Sequence, residues 1–98
     1  MSPGGGDTRI TLPVLRERIE AIDQEIVWLL AERVALAQRV GPLKQAAGKP
    51  TLDPQREVQV VRRVADRARE LGLPEEDIRQ IFWTVIGLSR RVQRSGSP

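Results

Sequence analysis

The sequence predicts an all-α fold, and three observations carry that prediction. Apolar residues recur at steps of three and four, no segment alternates as a half-buried strand does, and each periodic stretch is bracketed by residues that start or stop helices. Three helices are expected, with the longest at the N-terminal side. At 98 residues the chain is one small domain with a single core. Residues 1–9, "MSPGGGDTR", are read as a flexible tail and residues 10–98 as the helical domain.

The first helix is expected from about Thr11, with Pro13 in its first turn, where a missing N–H does no harm. Its apolar stripe is Leu15, Ile19, Ile22, Ile26 and Leu29, continuing to Leu36 and Val40. The stripe persists to about Leu43, and Gly48 and Pro50 mark the end. Pro42 lies inside it, removing one hydrogen bond and crowding the carbonyl of Gln38, so a bend is expected there. The second helix opens at "DPQRE", with Asp53 as N-cap and Pro54 as first helical residue. Val61, Val64, Ala68 and Leu71 continue one face, and Gly72 closes it. The third begins near "PEEDI", with three acids at its positive end, and runs to about Arg94, with Arg90, Arg91 and Arg94 at its negative end.

The long first helix also argues for assembly. About 30 residues make a rod of roughly 45 Å, whereas a compact chain of this length has a radius of gyration near ~13 Å. Two shorter helices cannot cover such a rod, so an intertwined two-fold homodimer is expected.

Composition narrows the chemistry. Cysteine and histidine are absent, which removes disulfides, Cys nucleophiles, Ser-His triads and the usual zinc and haem sites. No metal or cofactor is expected. The net charge is +3, and the basic excess is scattered along the chain. With Trp28, Phe82 and Trp83 as its only aromatics and no recognised module, the chain is not expected to bind nucleic acid. It holds no apolar run of membrane length and no secretory signature, so a cytoplasmic protein without membrane attachment is expected.

Polar residues interrupt the apolar faces in all three helices. Arg33 sits in the seam between Leu29 and Leu36, and Ala37, Val40 and Lys44 follow on its face. Glu57, beside Arg56, lies one turn before Val61 on the inward side. Ser89 and Gln93 continue the stripe set by Ile78, Phe82 and Val85. Each has an ordinary explanation alone: a snorkelling Arg, a Ser bonded to its own helix, a Glu at a helix N-terminus. Together they imply several desolvation penalties of ~1–3 kcal/mol each unless they share one polar cavity. Two or three cations against one carboxylate suit a compact dianion bearing a hydroxyl.

The segments "LRERI" at 15–19, "LLAER" at 29–33, "VGPLK" at 40–44, "DPQRE" at 53–57 and "SRRVQ" at 89–93 resemble the all-helical, AroQ-type chorismate mutases, from about residue 12 to 94. The resemblance implies a dimer of three-helix chains with two equivalent sites that rearrange chorismate to prephenate, on the route to phenylalanine and tyrosine. The reaction is unimolecular and pericyclic, with no nucleophile, metal or cofactor. Carried over by position, Arg16 of one subunit would join Arg33 and Ser89 of the other in holding the two carboxylates. Lys44 and Gln93 would donate to the ether oxygen. Glu57 and the backbone at Asp53 would receive the ring hydroxyl, and Arg56 would support the carboxylate end. Catalysis would fall to Lys44, Gln93 and Arg33. Two departures are notable: Pro42, two residues before Lys44, and Arg90, which adds a positive charge beside the expected pocket rim.

Isochorismate-pyruvate lyases and 4-amino-4-deoxychorismate mutases share the architecture and form the alternative, disfavoured by Glu57 within the full "DPQRE" stretch. A non-enzymatic helical dimer, acting as an adaptor through exposed arginines, is the alternative of another class. Some small mutases of this kind are activated by a larger synthase, and nothing in the sequence indicates such a partner.

Overall fold

A computed structural model describes residues 10–95, with side chains through Val92. The tail expected over residues 1–9 and the side chains of Gln93 and Arg94 lie outside the described residues. Among the described residues there are three α-helices and no strand: α1 (Leu12–Ala46), α2 (Pro54–Glu70) and α3 (Glu75–Ser95). None of them is long and apolar enough to cross a membrane.

The helix ends follow from local chemistry. Thr11 starts α1, its Oγ1 accepting from the Val14 N–H at 3.4 Å and its carbonyl from the Leu15 N–H at 3.0 Å. α1 continues through Pro42 to Ala46, ending just before Gly48 and Pro50, the residues expected to mark its end. It closes through Gly48, whose φ of +71° lets the Gly48 N–H donate to Gln45 O and the Lys49 N–H to Lys44 O. α2 ends by the same device. Gly72 takes φ +75°, its N–H donates to Arg69 O at 3.1 Å, and the Leu73 N–H donates to Ala68 O at 2.8 Å. Glu75, Glu76 and Asp77 occupy the first turn of α3, where their charge opposes the helix dipole.

The chain divides into two units, at Ala31 and Glu32. In the first, the described residues are the start of α1, and Leu15, Ile19, Ile22, Ile26 and Leu29 stand 43% to 58% exposed along one stripe. In the second, α2 and α3 pack as an antiparallel pair. Arg69 of α2 meets Glu75 of α3 at one end, and Glu57 of α2 meets Arg90 of α3 at the other. The core of the pair is Val61, Ala65 and Ala68 against Ile86. Ala65 and Ala68 have only a methyl each, which lets the helices approach closely. Leu71, expected to continue the buried face, is exposed, because the chain is already leaving the helix at that residue.

Candidate active site

From Glu32 onward, α1 presents Arg33, Ala37, Val40 and Lys44 at steps of four, three and four, on one face. These side chains line a cavity of about 410 Å³ together with Leu36. Its second wall is the start of α2 and the residues before it: Thr51, Asp53, Arg56, Glu57 and Val60. α3 supplies Ile86, Ser89 and Arg90. The second wall is held by the helix cap. Asp53 Oδ1 accepts from the Arg56 N–H at 3.1 Å, and Pro54 presets the first helical φ. Arg56 and Glu57 thus stand together in the first turn of α2, and both line the cavity.

Polar contacts order the cavity. Arg33 Nη1 donates to Ser89 Oγ at 2.6 Å, joining α1 to α3, and Ser89 is buried. Lys44 Nζ donates to the backbone carbonyl of Thr51 at 3.0 Å, joining α1 to the segment that leads into α2. Arg90 grips Glu57 with two nitrogens: Nε donates to Oε2 at 2.8 Å and Nη2 to Oε1 at 2.5 Å. This fork geometry is the strong form of an arginine–carboxylate pair. The hydrogen bonds to Glu57, and then its charge, raise the pKa of the Arg90 guanidinium above the ordinary arginine value. Among the described residues, four cations and two carboxylates line the cavity, leaving a net charge of +2.

Arg33, Lys44, Asp53, Arg56, Glu57 and Ser89, all singled out from the sequence, line this one cavity. Arg16 is exposed and belongs to the first unit. Gln93 lies on α3, and its side chain is outside the described residues. The charge expected from Arg90 at the rim is a different feature in the structure: Arg90 lines the cavity and its charge is matched by Glu57. Sequence reasoning misses that pair because 33 positions separate the partners. It also misses the Thr51 carbonyl, a backbone group with no side-chain signature.

A net-positive cavity of this size suits a small dianion. Its walls offer hydrogen-bond donors and an acceptor carboxylate but no cysteine or histidine. Such a set orients and polarises a bound acid without attacking it. The sequence matches the chorismate mutase type II family over residues 15–94. The chain belongs to that family. It is 32% identical to the chorismate mutase of Methanocaldococcus jannaschii over 83 residues, covering 85% of this chain and 84% of that protein. It is 34% identical to a 3-dehydroquinate dehydratase of Pyrobaculum aerophilum over 93 residues, covering 95% of this chain and 26% of that protein. A bifunctional chorismate mutase/prephenate dehydratase of Aquifex aeolicus is 35% identical over 78 residues, covering 76% of this chain and 22% of that protein. The chain thus spans about a quarter of the Pyrobaculum and Aquifex proteins and most of the Methanocaldococcus one.

Proposed function

We propose that this chain is a chorismate mutase, converting chorismate to prephenate by breaking the ether C–O bond as a new C–C bond forms. One observation carries the reading. In a member of the chorismate mutase type II family, Arg33, Lys44, Arg56, Glu57 and Ser89 from three helices line one cavity, whose described lining residues carry a net charge of +2. In this reading residues 10–98 act as one domain and need no cofactor or metal.

Arg33, steadied by Ser89, holds a substrate carboxylate, with Arg56 supporting the same end. Fixing both carboxylates selects the folded conformer in which the reacting carbons approach, an orientation effect. Lys44 and Gln93 donate to the ether oxygen, where negative charge grows as the bond lengthens, so they favour the transition state over the ground state. Glu57 accepts the ring hydroxyl, and the backbone at Asp53 contributes on the same side. The exposed apolar stripe from Leu15 to Leu29 pairs with a second copy of the chain, and Arg16 from that copy completes the carboxylate clamp. Cytoplasmic residence belongs to the same reading, supported by a charge-rich composition without cysteine.

The direct test is chorismate depletion by the purified chain, with prephenate identified after acid conversion to phenylpyruvate. Arg33→Ala and Lys44→Ala should each nearly abolish turnover while leaving the helical content intact, the loss of one such donor costing about 3–4 kcal/mol. Full activity in either variant contradicts the site. Salicylate and pyruvate from isochorismate, without prephenate from chorismate, would select the lyase reading. A helical adaptor acting through exposed residues such as Arg62 and Arg63 would tolerate both substitutions.

A further inference from the structure

The carboxylate of Glu57 faces the cavity but does not face it as a free anion. Both oxygens are held by Arg90, at 2.8 and 2.5 Å, and the pair sits where Glu57 keeps 17% and Arg90 40% of side-chain exposure. An ionised carboxylate has about four lone-pair sites, so the fork of Arg90 leaves acceptor capacity for one more donor. The charge is a different matter. An unpaired Glu57 would attract a cationic donor far more strongly than a neutral one, and a guanidinium within hydrogen-bonding distance cancels most of that advantage. The other charges facing Glu57 do not restore it: Arg33 and Lys44 on α1 and Arg56 on its own helix are positive, and Asp53 is engaged as the cap of α2.

From this pairing we infer that Arg90 is a specificity-determining residue: by matching the charge of Glu57, it makes the site accept a neutral ring hydroxyl and reject a protonated ring amine. The inference rests on the chorismate mutase reading and adds to it a reason for discrimination between two acids that differ in that one group. Arg90 acts through Glu57 and touches no reacting atom.

The test is calorimetric binding of 4-amino-4-deoxychorismate to the intact chain and to three variants, beside chorismate turnover by the unaltered chain. Arg90→Met removes the charge and the fork. Arg90→Gln removes the charge and keeps a donor toward Glu57, so it decides the matter if the Met variant does not fold. Arg90→Lys keeps the charge. Binding of the amine should tighten about tenfold or more in Arg90→Met and Arg90→Gln and stay near the original value in Arg90→Lys. Unchanged or weaker binding of the amine in the folded uncharged variants would overturn the inference. Absence of chorismate turnover by the unaltered chain would instead overturn the function on which it rests, so the two failures are distinguishable.

Discussion

An arginine in an apolar seam is costly unless something meets its charge. Arg33 meets only part of that need through Ser89 Oγ, a neutral acceptor 2.6 Å away. In the proposed function a substrate anion meets the rest, which gives a physical sense to a cation on the face that also carries Val40 and Lys44. Ser89 therefore has a task beyond filling space: it fixes the direction of the guanidinium. Ser89→Ala should leave the fold in place, since it removes one oxygen from a buried site, while KM for chorismate rises about tenfold or more, by roughly the 1.5–3 kcal/mol of a hydrogen bond to a charged group. Steady-state kinetics beside a thermal melt checks this, and an unchanged KM would mean that Arg33 is positioned by other contacts. Arg33, Lys44, Glu57 and Ser89 are legible in the sequence because each interrupts a periodic apolar face. The Glu57–Arg90 fork is not, because no local rule links residues on two different helices.

At the scale of the element, α2 has two duties at its start. Asp53 caps the helix through the Arg56 N–H and also lines the cavity, so the residue that stops the backbone from fraying also shapes the site. These duties can be separated. Asp53→Ala removes the cap and should lower stability by about 1 kcal/mol, a fall in Tm of about 4–8 °C for a domain of this size. Asp53→Asn keeps a capping oxygen and should melt near the original temperature, so any loss of turnover it shows reports on the cavity alone. Equal melting temperatures for the two variants would show that the cap is dispensable. The opening and closing residues of α2 are readable from Asp53, Pro54 and Gly72, since caps and left-handed glycines act within a few positions. The end of α1 is readable in the same way from Gly48, where the chain closes through the Gly48 and Lys49 N–H groups, and the helix runs on through Pro42, whose ring removes only one bond.

For the whole molecule, the decisive feature is the stripe from Leu15 to Leu29. Five large aliphatic side chains, each at least 43% exposed, form a surface of the kind that marks an interaction site. A second copy is the proposed occupant, and it makes a demand that a monomer does not: each active site draws Arg16 from the other chain. Mixing an Arg16→Ala chain with a Lys44→Ala chain, each inactive alone, should then restore activity. A heterodimer has one site with both defects and one with none, and random exchange of equal amounts yields about a quarter of the unaltered activity. If Arg16 served the site of its own chain, every mixed site would keep one defect and no activity would return.

Residue order by itself determines the all-α class, the helix starts and stops, and a set of polar residues too many for a small core to bury separately. These are consequences of interactions that span three or four positions, where periodicity, caps and glycine conformation act. Tertiary packing decides which of those residues share a cavity, that Lys44 is tied to the carbonyl of Thr51, and that the charge of Arg90 is matched by Glu57. Those outcomes depend on how the second half of α1, α2 and α3 bring distant positions within about 3 Å, a distance at which hydrogen bonds form and which no spacing along a single helix encodes.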